Sequence, residues 1–360
     1  MSRPRILVIN PGSTSTKLAY YVGAGEVFSE AVEHPDADLR RFADIPAQED
    51  YRLGMVEGFL KEKGLGGEDL DAVAARGGLM KPVKSGVFRI NARMVEDLRH
   101  SRERWGREHA SNLGAMIALR LAGRYGIPAF TADPVTVDEM DEVARLSGVP
   151  EIKRKSHLHA LNVKAMARRA AAELGTAPDN ASFVVAHLGG GTSVAAVRRG
   201  KIVDVNNALL GMGPFSPQRA GALPIGDLVE LAFSGRYDKA ALEKKLVKES
   251  GLAGYLGTSD VREVERRIDA GDAEAELVFD AMAYQVAKEI AAMASVLSGH
   301  VDAVVLTGGV SHSKRFTDAV IGRAGFIARV LVYPGEAEME SLAAYARAAL
   351  TGEEEILDYE

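Results

Sequence analysis

The chain opens with two apolar runs on either side of a polar turn. Residues 5–10 form a short apolar run of the kind that a buried strand shows. Residues 11–15 then bring a proline, a glycine and three hydroxyl side chains, which interrupt a strand as a turn. Residues 16–21 are largely apolar again. This pattern predicts a β-hairpin at the start of the chain.

The same pattern returns in the second half of the chain. Residues 182–187 are a second apolar run, residues 188–193 carry three glycines with a threonine and a serine, and residues 194–197 are apolar. The Thr-Ser pair of this turn follows that of the first turn by 178 positions, about half the chain. Two such units indicate a duplicated domain with a ligand between the copies.

Strand and helix signals mix along the rest of the chain, which predicts an α/β protein. Further strands are predicted at residues 70–75, 127–132 and 303–306. Helices are predicted at residues 50–63, 111–125, 157–174, 226–248, 273–297 and 338–350. No low-complexity linker separates independent modules. The predicted domains are residues 1–154 together with about 338–360, and residues 155–337.

Composition narrows the function classes. The 360 residues are 26% charged and 47% hydrophobic, an ordinary globular balance. A net charge of −6 argues against nucleic acid as a partner. The absence of cysteine excludes thiolate nucleophiles, zinc–thiolate sites and iron–sulfur clusters. No apolar stretch approaches the ~20 residues that span a bilayer, and no signal-peptide pattern opens the chain, so a cytoplasmic protein without a membrane partner is expected.

The first turn and its flanks, residues 10–17, contain groups suited to phosphate. Gly12 lets the backbone approach a ligand, and successive N–H groups with three hydroxyls form a concave donor surface. Lys17 adds a positive charge on the returning strand. A polar hairpin tip accounts for the same residues equally well. The motif is not a P-loop, because no glycine precedes the lysine and a strand follows where a P-loop has a helix.

The second turn carries a stronger signal. His187 ends a buried run, and Gly189, Gly190 and Gly191 follow. Three consecutive glycines cost backbone entropy and a plain turn seldom needs all three, so phosphate contact is the favoured interpretation. A third turn at residues 307–311 carries two glycines, and there a phosphate contact and a simple strand-to-helix loop both stay open.

Several charged residues lie at strand ends or in irregular segments. Arg76 precedes two glycines, Arg219 lies in a segment rich in proline and glycine, and Asp133 ends a strand before a proline. Arginine forks suit carboxylate and phosphoryl oxygens, although most arginines are solvated surface residues and Asp-Pro is also a turn signal. The histidines show no metal-binding spacing. His157 and His159 are two positions apart, so a helix would direct at most one of them to a site.

Taken in order, these motifs resemble the acetate and butyrate kinase family. The first turn reads Asn-Pro-Gly-Ser-Thr-Ser-Thr-Lys and the second His-Leu-Gly-Gly-Gly-Thr-Ser. The match continues through His159, Arg219, the segment 258–262 and the glycine pair 308–309, and so covers essentially the whole chain. The Arg-Gly-Gly-Leu that begins at Arg76 is similar to the butyrate kinase branch, as is the chain length.

The resemblance implies duplicated α/β domains of the actin/Hsp70/sugar-kinase (ribonuclease H-like) fold around a nucleotide cleft. The implied activity is that of a butyrate kinase, which transfers the γ-phosphoryl group of ATP reversibly to a short-chain fatty acid carboxylate, giving acyl phosphate and ADP, with Mg²⁺. The family also suggests a homo-oligomer, at least a dimer. The first unit would be the carboxylate and phosphate domain, and the second the nucleotide-binding domain.

The resemblance also assigns roles to individual residues. The implied catalytic residues are Arg219, His159, Asp133 and Arg76. The implied phosphate-binding residues are Asn10, Ser13, Ser15, Lys17, His187, Gly189, Gly190 and Gly191. The implied adenosine-binding residues are Asp260, Val261, Arg262, Gly308, Gly309 and Val310. The implied metal-binding residues are Asn10, Asp133 and Glu338.

Two positions depart from the acetate kinase pattern. Val73 stands where that pattern has its substrate arginine, and Arg76 stands where it has a histidine, so Arg76 is expected to take over the carboxylate. The acidic partner of the metal near the C-terminus is Glu336, Glu338 or Glu340. Glu338 is preferred because it opens the last predicted helix in the matching register.

Two alternatives stay open from the sequence. A kinase of acetate, propionate or branched-chain acids would share these motifs, because the acyl pocket draws on side chains from several segments. An actin-like or Hsp70-like switch ATPase would share the fold and the glycine turns. Such an ATPase would not require Arg76, His159 and Arg219 to converge near the γ-phosphate.

Overall fold

The computed structural model describes residues 3–106 and 108–360, which form two α/β units. The first unit comprises the chain up to Val137 together with Ala337–Glu360, and the second comprises Asp138–Glu336. The strands are β1 (Arg5–Pro11), β2 (Ser15–Val22), β3 (Gly25–Glu33), β4 (Ala72–Ala75), β5 (Val87–Arg89), β6 (Ala129–Ala132), β7 (Ser182–Leu188), β8 (Thr192–Arg198), β9 (Lys201–Val205), β10 (Ala303–Gly308), β11 (Val330–Pro334) and β12 (Ile356–Asp358). The α-helices are α1 (Asp36–Leu39), α2 (Glu49–Glu62), α3 (Ala92–Arg99), α4 (Ser101–Trp105), α5 (Asn112–Tyr125), α6 (Ala160–Glu173), α7 (Ile225–Phe233), α8 (Lys239–Lys248), α9 (Gly251–Leu256), α10 (Val261–Asp269), α11 (Ala273–Val296), α12 (Lys314–Ala324) and α13 (Glu338–Thr351).

The first unit is built on a seven-stranded sheet with the strand order β12-β5-β6-β4-β1-β2-β3. β1 is antiparallel to β2, while β4 lies between β1 and β6 and is parallel to both. The helices α5 and α13 pack on this sheet, and Leu7, Ile9, Leu113 and Met116 are fully buried in its core. Because three parallel strands end at one edge, the residues that follow them are brought together there.

The second unit is built on a five-stranded sheet with the order β11-β10-β7-β8-β9. β7 is antiparallel to β8 and parallel to β10. The long helix α11 buries Phe279, Val286 and Ile290 in a core that also contains Val184 and Leu306. The sheet is therefore covered by an apolar helix face, as its almost wholly buried strands require.

Both predicted hairpins are confirmed. β1 and β2 pair with Asn10 opposite Lys17, and β7 and β8 pair with His187 opposite Ser193. In each unit the first strand of the hairpin also has a parallel neighbour, β4 in the first unit and β10 in the second. The predicted internal repeat is thus a repeat of topology.

The boundary between the units differs from the predicted one. It follows Val137, whereas the sequence pattern placed it near residue 154. The intervening residues join the second unit because they attach to the last strand of its sheet. The Asp141 N–H donates to the Val203 carbonyl at 2.9 Å, and Arg154 pairs with Asp204 at 2.6 Å.

The helix predicted over residues 226–248 is two helices, α7 and α8. Gly235 lies between them with a φ of +75°, a left-handed conformation that favours glycine. Asp238 then caps α8, since its carboxylate accepts a hydrogen bond from the Ala241 N–H at 2.7 Å. A glycine and an aspartate within an apolar pattern therefore mark a break rather than a continuous helix.

Helix length and polarity also bear on membranes. Among residues 3–106 and 108–360, no helix is both long enough and apolar enough to cross a bilayer.

Candidate active site

Three predicted site residues lie at the ends of neighbouring parallel strands in the first unit. Asn10 lies near the end of β1, Arg76 directly follows β4, and Asp133 directly follows β6. The Arg76 N–H donates to the Ile9 carbonyl at 3.0 Å, which fixes the ends of β1 and β4 side by side. The sheet therefore brings an amide, a guanidinium and a carboxylate to one edge.

Glu338, the first residue of α13, joins this group. The Asn10 amide nitrogen donates to Glu338 Oε2 at 2.8 Å, and Arg76 Nη1 lies 3.1 Å from the same oxygen. Glu338 is only 4% exposed, so its charge depends on these two partners. Of the other two candidate glutamates, Glu336 belongs to the second unit and its Oε1 lies 3.5 Å from His187 Nε2.

The two glycines after Arg76 are explained by packing. A Cβ atom on Gly77 would lie 2.6 Å from Pro134 Cβ, and one on Gly78 would overlap Asn112. Both contacts are closer than any side chain allows. The Arg-Gly-Gly sequence therefore reflects the tight fit of the backbone that carries Arg76.

Asp133 is held by donors in an uncommon backbone conformation. It is buried and has a φ of +39°, which is costly for a residue other than glycine. One carboxylate oxygen accepts from Ser85 Oγ at 2.6 Å and from the Gly86 N–H at 2.9 Å, and the other accepts from the Tyr345 hydroxyl. Tyr345 lies seven residues after Glu338 on α13, so both project from one helix face.

In the second unit, two histidines stack at the second turn. The rings of His159 and His187 have centroids 4.0 Å apart and planes 16° apart. His187 is fully buried, and its Nδ1 is 2.8 Å from Asn162 Oδ1. His159 occupies the cap position of α6, and its Nδ1 is 2.9 Å from Ser193 Oγ. The predicted pair of site histidines is thus brought together, and His157 instead lies 3.2 Å from Asn207 Nδ2.

Arg219 lies on the glycines of the second turn. A Cβ atom on Gly191 would overlap its guanidinium, so only glycine leaves room for Arg219 there. One guanidinium nitrogen donates to the Ala208 carbonyl. The Nε is buried without a hydrogen-bond partner among the described residues, and burial lowers the pKa of Arg219. A buried cation of this kind is suited to an anionic ligand.

Gly189 and Gly190 have comparable neighbours. A Cβ on Gly189 would lie 3.3 Å from His187 Nε2, and one on Gly190 would lie 3.1 Å from Gln218 Oε1. The three glycines therefore admit three polar side chains of the site.

An apolar cavity of about 430 Å³ adjoins Arg219 within the second unit. This volume is within the usual range for small-molecule sites. Besides Arg219 and Thr192, its lining includes the apolar side chains of Leu209, Leu210, Met212, Leu223, Ile225 and Leu228. The cavity thus places an apolar wall beside a buried guanidinium, which suits an alkyl chain that lies next to an anionic group.

The segment predicted to contact adenosine has local structural roles. Asp260 caps α10 by accepting from the Arg262 N–H at 2.9 Å, and its carboxylate also pairs with the Arg262 guanidinium at 2.8 Å. The hydrogen bonds and charge of Arg262 lower the pKa of Asp260 to about 2. Next to it, Ser259 Oγ lies 3.5 Å from Gln218 Nε2, which places this segment beside the second turn.

The third glycine turn begins at Gly308, which has a φ of +91°. A Cβ there would overlap the backbone of Leu188, so the glycine lets β10 approach β7 closely. Gly308 exchanges two backbone hydrogen bonds with Gly335, at 3.0 and 3.1 Å. A Cβ on Gly309, by contrast, would meet no atom within 4 Å.

The residues predicted to hold a metal can be tested by their donor chemistry. In the part of the chain that the structure describes, no three His, Asp or Glu side chains are grouped as a ready-made metal cage. Asp133, Glu338 and the amide oxygen of Asn10 instead offer two carboxylates and one neutral oxygen. Mg²⁺ takes one or two carboxylates together with waters and substrate phosphates, so this donor set fits Mg²⁺ that arrives with a nucleotide.

Comparison with known proteins identifies the family of this chain. Residues 149–328 match the Acetokinase family. The chain is 49% identical over 350 residues to "Probable butyrate kinase 2" of Caldanaerobacter subterraneus subsp. tengcongensis, covering 97% of this chain and 98% of that one. It is 47% identical to "Probable butyrate kinase" of Listeria monocytogenes, covering 98% and 99% of the two chains. The chain belongs to the acetokinase family.

A solved structure also matches the fold of this acetokinase. The acetate kinase of Porphyromonas gingivalis superposes with a TM-score of 0.76 at 22% identity and covers 96% of this chain and 100% of that one. The predicted fold class, α/β with duplicated actin/Hsp70/sugar-kinase-like domains, is confirmed.

Sequence reasoning missed several contacts of the site. Tyr345 could have been found from its spacing of seven residues after Glu338, which marks one helix face. Asn162 lies one helical turn after His159, a spacing that was equally readable. Ser85 had no such signal, because the loop that brings it to Asp133 has no period.

Proposed function

We propose that this acetokinase is a butyrate kinase, which transfers the γ-phosphoryl group of ATP to a short-chain fatty acid and yields an acyl phosphate and ADP. The observation that carries the proposal is the buried guanidinium of Arg219 at an apolar cavity of about 430 Å³. The names of the relatives that are 47–49% identical over nearly the whole chain support the same acceptor.

The chemistry needs positioning more than acid–base catalysis. A carboxylate oxygen attacks the γ-phosphorus while the bond from that phosphorus to the β–γ bridging oxygen breaks, and the electron pair leaves with ADP. No proton has to be removed, since the carboxylate is ionised at neutral pH. The obstacle is the approach of two anions, so cations and hydrogen-bond donors around the transferring group supply the catalysis.

We assign those donors as follows. Arg219 holds equatorial oxygens of the transferring group through its planar fork, and His159, whose Nδ1 is tied to Ser193 Oγ, donates from its other nitrogen. Lys17, exposed on β2, adds charge near the phosphates. Asn10, Ser13, Ser15, His187 and the glycines of the second turn complete the phosphate site in this proposal.

Mg²⁺ belongs to the proposal as the partner of the nucleotide. When bound, it neutralises phosphate charge. Asp133, Glu338 and Asn10 would hold it and its waters, and Tyr345 keeps Asp133 oriented through its hydroxyl. The segment 260–262 and the turn 308–310 would bind the adenosine.

Arg76 is proposed to hold the substrate carboxylate. In the structure its Nη1 pairs with Glu338 Oε2 at 3.1 Å, which orients the guanidinium. If it holds the ground-state carboxylate, Arg76→Ala raises the KM for butyrate and spares the KM for ATP. A homo-oligomer and a cytoplasmic location stay predictions.

The decisive experiment traps the product. Enzyme, MgATP and butyrate are mixed with hydroxylamine, and the acyl hydroxamate is measured against ADP. We expect one hydroxamate per ADP, and a panel from acetate to hexanoate with isobutyrate and isovalerate should have its highest kcat/KM at butyrate. ADP formation that ignores the added acid would support a switch ATPase, and a maximum at acetate, propionate or a branched acid would identify a kinase of that acid.

A further inference from the structure

A fully buried arginine lies directly beneath the first glycine turn. Arg52, on α2, has no exposed surface. Its Nη1 donates to the Gly12 carbonyl at 2.8 Å and to the Ser15 carbonyl at 3.3 Å, and its Nη2 donates to the Ser13 carbonyl at 3.0 Å. Arg52 is not among the site residues that the sequence predicted, and its contacts have not been given a role so far.

Among the described residues, no carboxylate accepts a hydrogen bond from Arg52. Its other acceptors are Gln48 Oε1, at 3.1 Å from Nε and 2.9 Å from Nη2, and the hydroxyl of Thr16 at 3.4 Å. The Nε2 of His34 lies 2.8 Å from the same hydroxyl, and burial together with the charge of Arg52 lowers the pKa of His34. A buried cation without a counterion lowers the stability of the folded state, and a bound anion would offset this cost.

The contacts fix the direction of the peptide groups in the turn. The carbonyls of Gly12, Ser13 and Ser15 point to Arg52, and the Thr14 carbonyl accepts from the His34 N–H at 2.7 Å. In a trans peptide the N–H points opposite to the carbonyl, and no peptide bond in the described residues is cis. The N–H groups of Ser13 and Thr14, which share their peptides with the Gly12 and Ser13 carbonyls, are therefore directed away from Arg52.

These two N–H groups are open to a ligand. Ser13 and Thr14 are exposed, and the described part of the chain supplies no acceptor for their N–H groups. Successive N–H groups that face one side bind phosphoryl oxygens. We propose that Arg52 is a positioning residue of the phosphate-binding turn: it holds the carbonyls down, presents the N–H groups to the phosphates of ATP, and adds its unbalanced charge beneath them. This inference rests on the proposed nucleotide-dependent function.

The test compares affinity for ATP with affinity for adenosine, measured by titration calorimetry on the full chain. In Arg52→Lys the charge stays, but the planar fork whose two terminal nitrogens reach the three carbonyls is lost. We expect the Kd for ATP to rise about tenfold or more, the scale of a charge-assisted hydrogen bond, while the Kd for adenosine is unchanged. The matched control is Arg124→Lys, which alters an exposed ion pair to Glu57 on the same helix α2 and should change neither value.

A second variant keeps the fold and changes only the charge. Gln48→Glu has the same shape and still accepts from Arg52, but it neutralises the guanidinium. We expect weaker ATP binding with no loss of thermal stability, whereas a purely structural Arg52 would gain a buried partner and leave the affinity unchanged. Addition of guanidinium ion should restore ATP binding to Arg52→Ala, and an equal concentration of urea should not.

The outcomes separate this inference from the proposed function. A wild-type chain that binds no ATP and forms no acyl phosphate overturns both. A wild-type chain that forms acyl phosphate, together with Arg52→Lys and Gln48→Glu variants whose ratio of ATP to adenosine affinity equals that of wild type, overturns the role of Arg52 alone.

Discussion

The turn after β1 and the turn after β7 have the same topology but keep their shape in different ways. The first has one glycine, and its carbonyls are bound from beneath by Arg52. The second has three glycines, and side chains occupy the space where Cβ atoms would be, above all the guanidinium of Arg219 on Gly191.

The difference shows what glycine content reports at such a turn. At the first turn the backbone is prepared for a ligand by a buried cation, and hydroxyl side chains are tolerated. At the second turn the glycines leave room for functional side chains, so a Cβ added to any of them would press on a side chain of the site. Counting glycines therefore measures how closely side chains approach the turn, and not how well the turn binds phosphate.

The largest expected effect tests the second turn. Arg219→Ala should lower kcat by about 10³-fold or more, the scale that a transition-state arginine has in phosphoryl transfer. Arg219→Lys should recover little, because the planar fork is lost. His159→Gln should cost less, since an amide still donates one hydrogen bond. Steady-state kinetics in ATP and butyrate check this, and a near-normal kcat in Arg219→Ala would remove Arg219 from the mechanism.

The next effect compares the two turns directly. Gly191→Ala should lower kcat by about 100-fold, because a shift of Arg219 by about 1 Å is costly to a positioned reaction. Gly12→Ala should change kcat by about twofold or less, since its Cβ would lie 3.4 Å from the nearest atom, the Ser15 carbonyl oxygen. Equal losses in the two variants would contradict the distinction between the turns.

A third effect, on stability and not on rate, concerns the layer beneath the first turn. Burial and the charge of Arg52 lower the pKa of His34 to about 4, from an ordinary value of 6.5. The neutral ring is therefore favoured in the folded state, so its contribution is complete above pH 6.5 and is lost as the pH falls from 6.5 towards 4, by up to about 3 kcal/mol. Urea unfolding at several pH values should show this slope, and His34→Gln should remove it.

The smallest expected effect falls on the segment beside the second turn. Asp260→Ala should raise the KM for ATP more than it lowers kcat, if this segment binds adenosine. Asp260→Asn is the matched control, because asparagine also caps a helix and only the ion pair with Arg262 is lost. If Asp260→Ala lowers the melting temperature and leaves the KM for ATP unchanged, the residue only caps α10.

The elements that the sequence predicted best are those with a buried, periodic pattern. The hairpin strands β1, β2, β7 and β8 were found because each is an uninterrupted run that a turn bounds. The strands β3 and β12 were not, because they lie at sheet edges, where exposure replaces the apolar pattern. The edge strand β11 was also missed, although its residues are apolar. The prediction of one long helix over residues 226–248 was wrong for a local reason, because Gly235 adopts a left-handed conformation that ends the first helix.

For the site, the sequence by itself determined the chemistry. The sequence alone predicted the order of the motifs, the family, and the residue types at Asn10, Asp133 and Arg219, because turns and strand ends are local features of the chain. Only the tertiary structure decided which groups meet: Glu338 reaches Asn10 from a helix that begins 328 residues later in the chain, and Arg52 reaches the first turn from another helix. Such pairings depend on how strands and helices pack, and a contact across the core has no sequence period that would reveal it.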